Sequence, residues 1–484
     1  MKKTAWTGLA LLLLLSACSG GPENEDGKGT ASDSPAQGAQ SNGQASAPAD
    51  SKNGIPAKSG DPNEHVKLVV ATYYLSGQLE AAVKKYETLH PNIDIELHAA
   101  STSGKDLNDV LNKRDQFIET NNTAMLAGGG PDLIELDELP SEQYVKRRLL
   151  VDLDPLMKQD ADFHREQYFT NVIDHLQTGG GLYGIPLYFS LIGLFGDADA
   201  IGKAGVAFDD GSWTLNDFIG AARQWKQKGE YEYAFANEPS ALLNELVSEN
   251  YSKLATGTDG NAKFDADTLA DLMQQVKTLF DEHLLYNFQT GGRGPAMAVP
   301  QSGGGSPYEN AYFIETELFS LRDAVTNAPF PNTKLYAKPH PANTGDGGFF
   351  KPFGTLGINA NSAHPQQAWD FIKFLLNDDS VQSYVGVLGD NPGFPMNKSV
   401  YEQQKNKMKK DGMVKQEDGS TVQADPALLN QIEAYLTGAV HAVGEPSKLE
   451  EIVGDGSEAF FSGQKSADAA AKLIANKIDL MLNE

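Results

Sequence analysis

The chain has 484 residues, 40% of them hydrophobic, and carries 39 basic against 65 acidic side chains for a formal charge of −26. A surplus of that sign repels phosphate, which excludes nucleic acid and anionic lipid headgroups as partners. The single cysteine, Cys18, excludes an intramolecular disulfide, a cysteine zinc site and a thiol nucleophile elsewhere in the chain.

Lys2 and Lys3 precede an apolar run from Leu9 to Leu15, which ends in Leu15-Ser16-Ala17-Cys18. A charged start, an apolar core and small residues before a cleavage point describe a secretory signal peptide over residues 1–17. The Leu-Ser-Ala-Cys ending resembles the lipobox of bacterial lipoproteins. That resemblance implies lipidation of Cys18 as the mature N-terminus, and a protein anchored by lipid at the extracellular face of the cell membrane. The run from Ala5 to Ala17 falls short of the roughly 20 apolar residues of a membrane span. From residue 18 to 63 the chain is mostly Gly, Ser, Ala, Pro, Asn, Asp and Lys, which cannot bury enough surface to order itself. About 45 such residues span roughly 35–40 Å on average, a disordered tether of useful reach.

The remainder, roughly 420 residues, suits two or three domains. Val66 to Leu75 is β-branched and apolar, hence a buried strand. Ser76 caps a following helix that carries Leu79, Val83 and Tyr86 on one face, with Pro91 beyond its end. Ile93 to Leu97 alternates as a second strand. A helix over 107–127 stops at Gly128-Gly129-Gly130, and Pro131 to Asp137 forms a third strand. Further helices are predicted over 215–228, 266–285, 366–376 and 466–482. Strands alternating with helices predict an α/β fold with mostly parallel sheets covered on both faces. Trp213 and Trp369 open or sit within amphipathic helices and are expected to pack.

Catalytic signatures are missing. Nine histidines are scattered without HExxH spacing, and no GxSxG elbow occurs. Gly303-Gly304-Gly305-Ser306 lacks the lysine of a phosphate-binding loop. The acidic cluster Glu135, Asp137 and Glu138 contains enough carboxylates for glycoside hydrolysis, but that chemistry needs a pair about 5–9.5 Å apart, a spatial criterion. No catalytic residue, metal or cofactor is assigned.

Six segments occur in an order that resembles the sugar-binding extracellular solute-binding proteins of bacterial ABC transporters, the group that includes maltose-binding proteins. They are Thr123 to Asp132 (TAMLAGGGPD), Leu149 to Pro155 (LLVDLDP), Leu182-Tyr183-Gly184-Ile185-Pro186, Trp213 to Phe218 (WTLNDF), Gly294-Pro295-Ala296-Met297, and Gly357-Ile358-Asn359 followed by Ala368 to Leu375 (AWDFIKFL). The chain departs from the family at Gly196-Asp197, where Tyr-Asn is usual, and along residues 229–308. The resemblance implies a two-lobed periplasmic-binding-protein type II fold with the ligand cleft at the hinge. Residues 64–186 and 347–393 would form one lobe, and 187–346 and 394–484 the other. It also implies a monomer, a carbohydrate ligand, and an ABC permease with its ATPase as partners. An extracellular carbohydrate-processing enzyme, or a lipoprotein that senses or presents ligands without transport, are the alternatives.

Aromatic rings suit the C–H faces of a sugar, and carboxylates, amides and hydroxyls its rim. In open α/β sheets ligands lie beyond the carboxyl ends of strands. These rules select Tyr73 and Tyr74, of which alternation sends only one inward, then Asp137 and Glu138. They also select Tyr188 and Ser190 on the first crossing strand, Tyr308 in a glycine-rich loop, Phe349 on the second crossing and Phe394 on the third. Asp132 begins its strand and is expected to serve a turn or cap.

Overall fold

The computed structural model describes residues 64–483 apart from 75, 102–106, 258–261, 289–309, 341–345, 383–392, 417–418 and 445–447. The signal peptide, the linker, Gly294 to Met297 and Tyr308 lie outside the described residues, as does the side chain of Tyr74.

The first sheet holds Val66–Tyr74 parallel to Ile93–Ser101 on one side and to Leu133–Glu135 on the other. Its last strand, Leu356–Ile358, comes from far along the chain and runs antiparallel to Leu133–Glu135. Alternation turns Val66, Leu68 and Val70 into one core with helices Gly77–Leu89 and Pro365–Asn377. Tyr86 meets Phe371 and Phe374 edge-on there, at 5.0 and 5.1 Å. Ala71, Ile134 and Leu136 point the other way, against Phe117 and Met125 of helix Leu107–Leu126. Both faces are covered, as a parallel core sheet requires.

The glycine stop works as a staple. Gly128 and Gly130 adopt positive φ (78° and 95°), which costs glycine little. Asp132 then accepts from Val69 N at 2.9 Å and from the Ser362 hydroxyl at 2.6 Å. Asn359 donates to Gly129 O and Pro131 O. The turn residue expected at Asp132 thus ties the third strand to the returning segment.

The second sheet corrects the expectation of mostly parallel strands. Tyr188–Asp197 is antiparallel to Phe313–Leu318, Thr333–Tyr336, Gly348–Phe353 and Phe394–Pro395. Among the described residues only Ala439–Ala442 joins in parallel, beside Gly348–Phe353. Helix–strand alternation tells that faces are covered, but the direction of each return depends on distant pairing. Three segments lie side by side at the crossing, where Phe189 is paired with Pro352 on one side and Phe394 on the other.

The departure at Gly196-Asp197 has a local cause. A Cβ on Gly196 would come within 2.6 Å of the Tyr336 ring. Asp197 caps helix Ala198–Ala204 through the Asp199 and Ala200 amides and accepts from the Tyr231 hydroxyl at 2.8 Å. Beyond it, Thr214 and Asp217 form a reciprocal capping box at the start of helix Leu215–Lys228. Trp213, Phe218, Trp225 and Phe313 pack edge-on in the core behind it. Among the described residues no helix is long and apolar enough to cross a membrane.

Trp213 and Trp369 are core residues, as expected. Trp369 is fully buried, and its Nε1–H donates to Asp160 at 2.8 Å, where Lys373 also pairs at 2.5 Å. Trp369→Ala is expected to cost about 3–5 kcal/mol from the cavity it leaves, read as a lower urea midpoint. Trp369→Phe keeps most of the ring and should cost only about 1–2 kcal/mol through the lost bond to a carboxylate.

Candidate functional site

At the carboxyl ends of the first sheet several of the expected residues converge, but they are largely engaged with the protein itself. Glu135 accepts from the Thr72 hydroxyl and, at 3.1 Å, from the Tyr73 amide. Burial, then the charge of Asp137, pushes the Glu135 carboxyl above its ordinary range. Asp137 accepts from the amides of Gly354 at 2.6 Å and Thr355 at 3.2 Å, holding the turn that leads into the returning strand. Glu138 is paired with Arg114 of helix Leu107–Leu126. The Tyr73 hydroxyl donates to Val110 O at 3.2 Å, and its ring lies 5.9 Å from Phe117.

Three residues selected from the crossings lie in the core. Phe349 and Phe394 are fully buried, against His340 and His441 and against Phe189 and Tyr401 respectively. Tyr188 is 8% exposed and donates its hydroxyl to Val381 O at 2.6 Å. The reason is that the crossing strand has partners on both edges and packed layers on both faces. Alternation therefore exposes neither of its sides, and Ile192 alone along Tyr188–Asp197 is half-exposed. Ser190 is buried too, yet its hydroxyl donates to Glu317 at 2.6 Å, and Glu317 opens onto a cavity.

That cavity, about 490 Å³, has Ile192 and strand Phe313–Leu318 along its base. Helix Pro239–Glu249 contributes one face through Ala241, Asn244, Glu245, Ser248 and Glu249. Lys351, Val443 and Glu450 complete the wall. Lys338 in its wall is 2% exposed and paired with Glu249 at 2.6 Å, with Glu245 at 3.3 Å and with Glu315. Asn237 donates to both Glu245 and Glu315. Burial, only partly countered by Lys338, lifts Glu249 to about 7. Burial and the neighbouring Glu315 charge raise Glu245 as well. Burial, with the Glu142 charge contributing, raises the Tyr251 hydroxyl. A second groove, about 530 Å³, lies between helices Leu215–Lys228 and Ala266–Asp281.

The sequence reading missed Glu245, Glu249, Glu315, Glu317 and Lys338, although part of their signal was present. Glu245 and Glu249 stand four apart on one helix, and Glu315 and Glu317 two apart in a strand, so each pair shares a face. Nothing local could place Lys338 among them.

The chain matches the family profile of bacterial extracellular solute-binding proteins over residues 74–382. It belongs to that family. Its fold is the two-lobed periplasmic-binding-protein fold, seen in an extracellular solute-binding protein of family 1 from Alicyclobacillus acidocaldarius at 17% identity and TM-score 0.58, covering 87% of this chain and 99% of that one. A periplasmic oligogalacturonide binding protein from Yersinia enterocolitica is similar at 19% identity and TM-score 0.57, over 86% of this chain and 99% of its own. The sugar-binding protein MalE from Xanthomonas citri is similar at 18% identity and TM-score 0.56, over 86% and 97%.

The raised carboxyls carry a stability signature. Their folded pKa lies above the ordinary 4.5, so the fold favours the protonated form. That stability is complete below the unfolded value and is lost as pH rises through about 7. Calorimetry of the ligand-free protein should show a melting temperature that falls between about pH 5 and pH 8, and Glu249→Gln should flatten the fall. Lys338→Met removes the cation that all three carboxylates share, and should lower the melting temperature far more at pH 8 than at pH 5.

Proposed function

We propose that this protein captures a sugar or oligosaccharide outside the cytoplasmic membrane and delivers it to an ABC importer. The observation that carries the reading is a polar cavity set against the crossing strands, in a chain whose family is extracellular solute-binding proteins. Two structural neighbours, an oligogalacturonide binding protein and a sugar-binding protein, support a carbohydrate. Residues 64–186 with 347–393, and 187–346 with 394–484, are the two lobes, and closure about the segments paired at Phe189 brings them onto the ligand. The permease reads the closed, loaded form. Lipidation at Cys18 keeps the protein at the membrane, and the linker of about 45 residues lets the body reorient over the transporter.

Binding is favoured over hydrolysis because Asp137 is engaged by two backbone amides and Glu138 by Arg114. Neither is left as a free acid or nucleophile for a glycosidic bond.

Calorimetric titration of the mature body against a glycan panel tests this reading. Saturable sugar binding, with a smaller radius of gyration by small-angle scattering in the loaded state, is expected. Tight binding confined to a non-carbohydrate would overturn the sugar assignment. Deleting the gene should abolish uptake of the sugar that binds, and unchanged uptake would leave capture without transport. Cys18→Ala should release the protein from the membrane fraction.

A further inference from the structure

Five glutamates line the cavity on the crossing strands (Glu245, Glu249, Glu315, Glu317 and Glu450) against two lysines, Lys338 and Lys351. The formal surplus is three negative charges around one solvent-open cavity. Lys338 already serves three of the carboxylates. The protein leaves two acceptors there unpaired. Glu249 has a side chain 3% exposed and bonds Lys338 through Oε1, while its Oε2 is buried and has no hydrogen-bond partner. Asn244 Oδ1, five residues earlier on the same helix and lining the same cavity, is likewise buried without one. Buried acceptors without donors are costly, and excess buried carboxylate more so.

From the charge surplus and the two unpaired acceptors, we infer that the ligand presents a protonated amine to this cavity, as an amino sugar does. The inference rests on the proposed solute-capturing role and names the class of solute. An ammonium group supplies three donors and one positive charge, which offset part of the surplus and can pair with Glu249 Oε2 or Asn244 Oδ1 once a side-chain rotation brings that atom to the cavity surface. A uronate would add like charge to the cavity and be rejected. The neutral N-acetyl form loses the charge and adds bulk.

The ligand-free cavity meets its surplus partly by holding protons. The groups facing Glu249 and Glu245 are Glu315 and Glu317 from the strand, Lys338 and Lys351, Glu450 from helix Leu449–Phe461, and Tyr435, whose hydroxyl is raised by burial with Glu249 contributing. A cation entering among them draws both carboxyls toward the ionised form, so binding releases protons near neutral pH.

The test is calorimetric titration of the intact mature protein with four oligosaccharides of equal length: glucosamine, N-acetylglucosamine, glucose and galacturonate. Spermidine serves as a cationic probe that is not a sugar. The glucosamine oligomer is expected to bind at least about tenfold more tightly than its N-acetyl form, as suits one bond to a charged group. Its affinity should fall with added salt, and titrations in two buffers of different ionisation enthalpy should report proton release. Glu249→Gln should remove most of the preference, and Glu450→Gln, at the exposed rim, should reduce it without risk to the fold. Equal or tighter binding of the neutral or acidic oligomers overturns the inference while leaving the sugar reading intact. Binding of spermidine but of no saccharide sustains the amine inference and overturns the sugar reading. Failure of every amine-bearing probe to bind overturns the inference.

Discussion

The strand Tyr188–Asp197 sets the constraint on which the rest of the molecule depends. Four other strands hydrogen-bond to its ten residues. Because it is enclosed on both edges and both faces, every backbone amide must find a partner within the protein. Side chains along it must also fit without a solvent-facing side. Gly193 and Gly196 answer that demand, since a Cβ on either would meet Leu335 or Tyr336 at under 3 Å. The same enclosure buries Tyr188, Phe349 and Phe394, and leaves Ile192 as the point where the strand meets the cavity.

The electrostatic centre follows from that geometry. Strand Phe313–Leu318 places Glu315 and Glu317 on the face that meets helix Pro239–Glu249, and the segment after Thr333–Tyr336 brings in Lys338. One buried cation among three carboxylates is a poor source of net stability, because desolvation of four charges offsets much of their attraction. Such an arrangement suits the ligand-capturing role we propose. Its protons are bound loosely enough near neutral pH to be exchanged for another charge. The N-terminal sheet has the opposite character. There Asp137, Glu138 and Glu135 are occupied by backbone amides, Arg114 and Thr72, and act as ties between segments.

Much of the fold was legible from local pattern. Apolar runs, caps and glycine stops marked Val66–Tyr74, Gly77–Leu89, Leu107–Leu126 and Pro365–Asn377 to within a few residues. The packing role of Trp213 and Trp369 and the structural role of Asp132 were legible for the same reason, since each acts through its own element or the next one in contact. The candidate site was read less well. Strand-end chemistry brought Tyr73, Asp137 and Glu138 to one region, but whether a carboxylate is free or engaged depends on Gly354, Thr355 and Arg114, which are distant in sequence.

The division has a physical basis. Periodicity, capping and turn preference are short-range properties of a chain. By themselves they determined the strands Val66–Tyr74, Ile93–Ser101 and Leu133–Glu135 and helices such as Gly77–Leu89 and Pro365–Asn377. Ordered short motifs carried the family resemblance, and composition the acidic character. Strand direction around Tyr188–Asp197, the burial of the crossing aromatics and the gathering of Glu245, Glu249, Glu315 and Lys338 were decided only in the tertiary structure. Each of those depends on which remote segments share an edge or a face, and on the desolvation and charge coupling that arise once they do.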